Sequence, residues 1–288
     1  MNKSPKQLLY AHPYDMGGMP IRQPFPTNSI DHIGPFILLH HARIKVPTNI
    51  ATKQAGVGPH PHRGFAPVTF IFEGGVHHRD SRGNDSIIYE GGTQWMNAGM
   101  GVIHSERPPE NIHELGGVQE LIQLWVNVPA KHKMDIPQYL PLTKEETPVY
   151  TSTDGKARLN IVSGKVNGIT GPIQALSDLT ASTGQLEQSA KLIVELPENH
   201  HALIYVLSGK LKISDFGLVE MHHALSFNAD GTNIEIEALE DSKILVLSGK
   251  EIEEPMVAQG PFVMNSEIEI MQAYRDFQMG KMGVLIEE

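Results

Sequence analysis

The sequence predicts an all-β fold built from two related halves and closed by a single helix. Short apolar runs alternate with glycine turns along most of the 288 residues, and almost no helical periodicity interrupts them, which is typical of β-sandwiches and barrels. The second half repeats the first in weaker form, with Gly209 lying where Gly74 lies, and such repetition indicates duplicated units. Helical spacing appears only over residues 266–279.

The composition is typical of a globular protein and argues against nucleic-acid and membrane partners. Apolar residues make up 40% and charged residues 19% of the chain, as in globular proteins with substantial cores. The net charge of −10 disfavours direct binding to a phosphate backbone, so we expect no nucleic-acid partner. Cysteine is absent, which excludes disulfides and thiolate ligands. The first residues lack the apolar stretch of a signal peptide, and no run approaches a membrane span; we therefore expect a cytoplasmic protein without a membrane partner.

Proline and glycine crowd residues 1–35, which predicts an extended segment with short strands. Four apolar runs in the first half are then predicted to be strands: Phe36–Val46, Val68–Gly75, Ile87–Tyr89 and Leu121–Val128. A polar hairpin is expected at residues 77–85, where a Gly-Asn pair provides the turn. Prolines and charges mark the boundary between the halves. We place an N-terminal domain at 1–135, a linker at 136–156 and a C-terminal domain at 157–288.

The second half shows strand patterns at residues 203–213 and 243–250, which mirror two strands of the first half. Its last segment changes period. Asn265 or Ser266 can cap a helix at its N-terminus and Gly280 can end it. We expect this helix to dock on a barrel through residues that recur at helical spacing, namely Ile268, Met271, Tyr274 and Arg275.

The strongest functional signal is a pair of short motifs, each with metal-binding side chains at positions i and i+2. His60 and His62 form the first pair, and His104 and Glu106 form the second. On a strand such residues share one face, about 6.6 Å apart along the chain. Two strands that meet inside a barrel would bring three imidazoles and one carboxylate to one ion, at about 2.0–2.2 Å per bond.

Chance is the alternative explanation, because the chain has 15 histidines and one His-x-His pair could arise without function. Two pairs, each beside glycine-rich turns and strand-like runs, favour the metal site. Four residues receive structural roles instead: Arg63 and Phe65, beside the ligands, are expected to pack and form ion pairs at the barrel mouth, and Trp95 and Trp125 are expected to be core aromatics. Phosphate-binding loops and serine nucleophile motifs are not found in the sequence.

Several long motifs resemble the pirin family of bicupin proteins across nearly the whole chain: residues 60–65 (HPHRGF), 78–83 (HRDSRG), 94–106 (QWMNAGMGVIHSE), 124–127 (LWVN) and 260–265 (GPFVMN). The resemblance implies two cupin barrels, of the double-stranded β-helix or jelly-roll type, packed face to face and followed by a C-terminal α-helix. It also implies a metal in the N-terminal cupin alone. The family's ligands carry over onto His60, His62, His104 and Glu106, the residues that spacing had selected.

Two positions depart from the usual family pattern. Ala66 follows the first motif and Thr93 precedes the third, where pirins commonly carry carboxylates. Neither position is a family ligand, so the expected consequence is a change in the polarity around the site or in hydrogen bonds to its ligands.

The resemblance implies a quercetin 2,3-dioxygenase, with a flavonol bound through its 3-hydroxyl oxygen and O₂ as second substrate. Iron is the metal that it favours, while the nitrogen and oxygen donors also suit Zn, Cu, Mn, Co or Ni. Glu106 could additionally take the substrate proton. Two alternatives stay open at this point: a redox-sensing regulator that binds protein partners without turnover, and a remnant with a purely structural metal.

Overall fold

The computed structural model describes residues 1–287, and strands dominate it, as predicted. The strands in the first half are β1 (Pro5–Tyr10), β2 (His12–Met16), β3 (Met19–Phe25), β4 (Phe36–Lys45), β5 (Val57–His62), β6 (Phe65–Glu73), β7 (Gly75–Asp80), β8 (Asp85–Tyr89), β9 (Thr93–Asn97), β10 (Val102–Arg107), β11 (Val118–Asn127) and β12 (Gln138–Leu142). Those in the second half are β13 (Val149–Thr151), β14 (Ala157–Ser163), β15 (Lys165–Val166), β16 (Ile169–Thr170), β17 (Leu179–Leu186), β18 (Lys191–Glu195), β19 (His201–Ser208), β20 (Lys210–Ile213), β21 (Gly217–Glu220), β22 (His223–Phe227), β23 (Asn233–Ala238), β24 (Ser242–Gly249), β25 (Val257–Gln259) and β26 (Phe262–Met264).

Helices are few among the described residues. The α-helices are α1 (Glu110–Leu115) and α2 (Glu267–Gln278), and two single-turn 3₁₀ helices cover Thr52–Gln54 and Ala130–His132. Helix α1 was not predicted, since its six residues are too few to show a periodicity. None of the helices described here is long and apolar enough to cross a membrane.

The chain forms two compact units, and each is assembled from separated segments. The N-terminal barrel unit contains residues 17–20, 42–144 and the chain from residue 252 onward. The C-terminal barrel unit contains residues 1–16, 21–41 and 145–251. This grouping differs from the contiguous domains 1–135 and 157–288 that we expected, because both ends of the chain belong with the more distant half. The expected linker 136–156 contains strands β12 and β13.

Two sheets form the barrel of the N-terminal barrel unit, and β25 and β26 pair separately in a two-stranded sheet. One contains four strands in the order β5-β10-β7-β8, and β12-β9-β6-β11 are neighbours in a larger sheet. All pairings among these strands are antiparallel. Strands β5 and β10, which carry the predicted metal motifs, are therefore direct neighbours.

The C-terminal barrel unit has the same two-layer design. Its sheets have the orders β1-β22-β19-β24-β17-β14-β13 and β18-β23-β20-β21. The interior contains one large cluster of buried aliphatic side chains, to which β19 contributes Ala202, Ile204 and Val206. Alternate residues of a strand point to the same face, so β19 directs hydrophobic side chains into the interior of this barrel.

The predicted internal repeat is visible at one glycine in each unit. Gly74 joins β6 to β7 with φ +81°, and Gly209 joins β19 to β20 with φ +86°. Side chains rarely tolerate this backbone region. A Cβ atom would also collide with the Val118 carbonyl oxygen at Gly74 and with the Ser242 hydroxyl at Gly209. The two turns therefore require glycine for the same reasons.

Helix α2 confirms the predicted position but corrects the predicted face. Ser266 is the N-cap, and its hydroxyl accepts a hydrogen bond from the backbone N–H of Glu269. The expected contact residues Ile268 and Met271 are exposed, at 73% and 64%. Tyr274 does pack against the cluster around Phe262, as expected, and the fully buried side consists of Ile270, Ala273 and Asp276.

Candidate metal centre

Three of the predicted ligands meet in the N-terminal barrel unit. His60 on β5 lies directly opposite His104 on β10 in the antiparallel register, and His62 lies opposite Val102. The metal-binding atoms of His60, His62 and His104 all lie within 4.8 Å of one another. Strand alternation thus places these imidazoles on one face, as the spacing predicted.

Hydrogen bonds fix which nitrogen each ring can offer. His60 Nδ1 lies 2.8 Å from the Gly58 carbonyl oxygen, and His62 Nδ1 lies 3.4 Å from that of Pro261. A carbonyl oxygen only accepts, so both Nδ1 atoms must carry a proton. In the neutral rings both Nε2 atoms then present lone pairs, and these atoms are 3.0 Å apart. Two facing lone pairs repel each other unless a cation lies between them.

The ring of His104 also has a nitrogen atom that lacks a partner. His104 is 2% exposed, and its Nε2 atom is buried without a hydrogen-bond partner. Two ligands about 2.1 Å from one ion, at roughly 90° to each other, would be about 3.0 Å apart. The separation of 3.0 Å between His60 Nε2 and His62 Nε2 matches this value. The three side chains therefore fit a metal ion held through Nε2 atoms.

Burial favours the neutral form of two of these rings, His62 and His104. Desolvation holds the pKa of His62 well below its usual 6.5, and the neighbouring His60 adds to the effect. Desolvation likewise lowers the pKa of His104 well below 6.5, with further contributions from His60, His62 and His78. Protons therefore compete weakly with a metal at these two residues near neutral pH.

Glu106, the fourth predicted ligand, stands outside the three-histidine group. It lies two residues beyond His104 on β10 and is partly exposed. Its Oε1 atom accepts a hydrogen bond of 2.6 Å from the hydroxyl of Thr69 on β6. That bond occupies one carboxylate oxygen, and the assignment of Glu106 as a ligand stays a prediction.

Aromatic rings border the histidines, and one of them was assigned wrongly from the sequence. The ring of Phe65 lies 5.1 Å from that of His62, and the ring of Trp125 lies 5.4 Å from it. Trp125 was expected to be a core residue, but it is partly exposed beside the site, whereas Trp95 is buried as predicted. Arg63 is buried and pairs with Asp276, which agrees with its predicted structural role.

Comparison with known proteins defines the family. The Pirin family profile matches residues 18–126, and the Pirin C-terminal cupin domain matches residues 182–283. A relative from Pseudomonas aeruginosa is 38% identical over 267 residues, with 92% of each chain covered. The chain belongs to the pirin family. Its two barrels form the bicupin fold of that family.

Other pirin relatives extend the comparison. A pirin-like protein from Caulobacter vibrioides is 36% identical, with 78% of this chain and 80% of the relative covered. The crystal structure of a quercetin 2,3-dioxygenase from Acinetobacter baumannii superposes with a TM-score of 0.91 at 34% identity, covering 99% of both chains. The Escherichia coli pirin YhhW, solved in complex with nickel(II), has a TM-score of 0.68 at 20% identity, covering 85% of this chain and 99% of YhhW. At that identity the likeness to YhhW concerns the fold alone.

Sequence reasoning missed two residues beside the site. His78 and Asp80 were read as part of a polar hairpin, but they are buried on β7, the neighbour of β10. The available signal was their spacing: they form a third i, i+2 pair of polar side chains.

One departure of this pirin from its family can be placed. Ala66 is buried on β6. Phe65 and Thr69 of the same strand contact the site residues, and strand alternation directs Ala66 to the opposite face. The missing carboxylate at this position therefore does not change the side of β6 that faces the histidines. Thr93 is buried as well.

Proposed function

We propose that this pirin is a mononuclear metal-dependent dioxygenase of the quercetin 2,3-dioxygenase type, acting on a flavonol and O₂. The observation that supports the metal site is the convergence of His60, His62 and His104, whose metal-binding atoms lie within 4.8 Å of one another, with Nε2 of His60 and Nε2 of His62 3.0 Å apart. The activity is proposed from the Acinetobacter baumannii protein, which is named a quercetin 2,3-dioxygenase and shares 34% of its sequence with this chain.

The proposed ligands are His60, His62, His104 and Glu106, and the proposed metal is divalent iron. Nitrogen and oxygen donors without thiolate suit iron, and they also accommodate the neighbouring transition metals. When bound, the metal supplies positive charge that stabilises an anionic substrate oxygen and a redox centre for the reaction with O₂.

Glu106 is proposed to take the proton of the flavonol 3-hydroxyl. The O–H bond of the substrate breaks, its electron pair stays on the substrate oxygen, and the carboxylate becomes a carboxylic acid. The Thr69 hydroxyl donates to Oε1 of Glu106 at 2.6 Å. It thereby fixes the rotation of the carboxylate and leaves Oε2 available.

The ring of Trp125 supplies apolar surface beside His62, and the fully buried ring of Phe65 packs behind it. Aromatic faces and edges suit contact with a planar flavonoid, since such pairs add about 0.5–1.5 kcal/mol to their area burial. The partial exposure of Trp125 leaves part of its ring available for such a contact.

The test begins with protein purified without oxygen, its metal content measured by elemental analysis and its oxygen uptake measured with quercetin. About one redox metal per chain, with uptake lost in His62→Ala and kept in His12→Ala, would support the proposal. His12 is the matched control because it is an exposed histidine of the C-terminal barrel unit.

Two outcomes would contradict parts of the proposal. Full metal without uptake would refute the dioxygenase and favour the regulatory alternative, whereas a protein that binds no metal after reconstitution would refute the site. Glu106→Gln tests the base separately: an unchanged turnover rate at full metal content would exclude Glu106 from proton transfer.

A further inference from the structure

Two buried polar residues on β7 lie beside the candidate metal centre without a role in the proposed reaction. In the antiparallel register of β7 and β10, Asp80 lies opposite His104 and His78 lies opposite Glu106. His78 is 2% exposed and Asp80 is 5% exposed. Buried polar side chains are costly unless they are paired, so their mutual arrangement is informative.

The hydrogen bonds form a continuous chain that ends at His104. His78 Nε2 lies 3.0 Å from Asp80 Oδ2, and His78 Nδ1 lies 3.5 Å from His104 Nδ1. Asp80 as a carboxylate only accepts, so His78 Nε2 carries the proton and donates it. The Nδ1 atom of neutral His78 then has a lone pair, which can accept from an N–H on His104 Nδ1.

This proton arrangement selects one tautomer of His104. With its proton on Nδ1, the lone pair of His104 is on Nε2, the buried atom without a partner. Because Nδ1 of His104 is engaged with His78, Nε2 is the nitrogen left to bind a metal shared with His60 and His62. The orientation imposed by Asp80 and the orientation needed by a metal are the same.

The outer residues of the chain are themselves held in place. The His78 ring stacks flat on Tyr139, with centroids 3.9 Å apart and an interplanar angle of 3°. Asp80 Oδ1 accepts from the backbone N–H groups of Arg82 and Asn84, at 2.8 and 3.1 Å. The Asn84 side chain donates to Asp80 Oδ2 at 2.8 Å. Neither His78 nor Asp80 can turn away without breaking these contacts.

We infer that His78 and Asp80 form a positioning relay, in which Asp80 orients His78 and His78 holds His104 in the tautomer and rotation that bind the metal. The inference rests on the proposed role of His104 as a ligand. Hydrogen bonds to the far nitrogen of a ligating histidine fix its orientation and strengthen it as a donor, and their loss typically weakens metal binding by about 10- to 100-fold.

The experiment measures Co²⁺ binding to the metal-free protein, by titration and by the visible absorption spectrum of the bound ion. His78→Phe keeps a ring to stack on Tyr139 but removes the acceptor. His77→Phe is the matched control, because His77 precedes it on β7 and bonds the exposed Asp85 instead. We expect a dissociation constant about 10- to 100-fold higher and an altered spectrum for His78→Phe alone.

A second variant keeps the test decisive if His78→Phe does not fold. In Asp80→Asn, the side-chain oxygen can keep the hydrogen bonds from the backbone N–H groups of Arg82 and Asn84. The side-chain NH₂ group then faces Nε2 of His78. His78 must then move its proton to Nδ1, where it opposes the N–H of His104, so weaker Co²⁺ binding is again expected.

The outcomes separate the relay from the metal site. Unchanged affinity and spectrum in folded His78→Phe or Asp80→Asn would overturn the relay while leaving the metal site intact. Reduced thermal stability of the metal-free variants with wild-type affinity would show a structural role only, and would also overturn it. A wild-type protein that binds no Co²⁺ or other divalent metal would overturn the proposed site and the relay with it.

Discussion

Replacement of Asp276 by Asn should destabilise the N-terminal barrel unit and weaken its metal site. Asp276 Oδ2 accepts from Nη1 of Arg63 at 3.0 Å, and the two side chains are 10% and 3% exposed. Gln272 and Lys281 donate to the other oxygen at 2.7 and 2.8 Å. Arg63 directly follows His62, so this ion pair joins α2 to the strand that carries two predicted ligands.

The expected loss follows from burial. Removal of one partner of a buried ion pair costs about 3–5 kcal/mol, because the remaining charge is left without compensation. Asn keeps the shape and one acceptor, which places the expected loss near the lower value, about 3 kcal/mol.

The pH dependence of the same residue gives a second measurement. Lys281 and, to a smaller extent, Arg63 and Gln272 lower the pKa of Asp276 from 3.8 to about 2, against the opposing effect of burial. A carboxyl whose folded pKa is lowered contributes stability above its unfolded pKa and loses it as the pH falls. The contribution of Asp276 should therefore be complete above about pH 4 and disappear towards pH 2.

Urea unfolding of the metal-free protein, followed by circular dichroism, measures the loss, and Asp85→Asn is the matched control. Arg79 Nε lies 3.0 Å from Asp85 Oδ2, the same distance as in the buried pair, but the side chains are 38% and 60% exposed. We expect at most about 1 kcal/mol for Asp85→Asn. Equal losses in the two variants, or less than about 1 kcal/mol for Asp276→Asn, would refute the argument from burial.

Two further predictions concern the centre itself. Thr69→Val removes the donor to Glu106 and should lower the free energy of unfolding in urea by about 1.5–3 kcal/mol. The control Thr180→Val breaks the neutral Thr180–Ser248 hydrogen bond of 2.8 Å and should cost about 0.5–1.5 kcal/mol. Equal costs would argue against a charge-assisted bond to Glu106. Because burial lowers the pKa of His62 and His104, the unfolded chain binds their protons first, so the metal-free protein should lose up to about 1.4 kcal/mol per histidine per pH unit below 6.5. A flat unfolding free energy between pH 7.5 and 5.5 would contradict this.

The metal centre was largely predictable because it depends on a local rule. His60 and His62 share a face of one strand, and the register of β5 and β10 places His104 opposite His60. Strand alternation alone gives the first fact. The meeting of the two strands was inferred from the paired spacing, and the family resemblance agreed with it. The position of the Glu106 carboxylate relative to the histidines depends on the rotation of its side chain and on the hydrogen bond from Thr69. Neither can be predicted from the sequence.

The parts that were missed involve polar residues in unexpected places. The buried face of α2 includes Asp276, which is compensated by Arg63 from a distant motif. A search for apolar periodicity therefore selected Ile268 and Met271, which are exposed. His78 was likewise assigned to a polar hairpin. Its hydrogen bond to Asp80, which offsets the cost of burying the imidazole, can be seen only in the folded structure.

The composition of the compact units was beyond local reasoning. Strand β1 pairs with β22, and nothing in the sequence around Pro5–Tyr10 indicates so distant a partner. Proline and charge density mark residues 136–156, and the two units divide between residues 144 and 145, but that pattern cannot show which unit each end of the chain joins.

The interleaving of segments has a consequence for protein synthesis. Residues 42–144 leave the ribosome well before residue 252, yet the N-terminal barrel unit includes the chain from residue 252 onward. Domains normally fold as units, in order of their appearance during translation. The unit with the three histidines therefore lacks α2 and its Asp276 until the whole of residues 145–251 has been translated. The strands that carry the histidines are thus synthesised early, and the unit that contains them is complete only after the chain from residue 252 onward has been made.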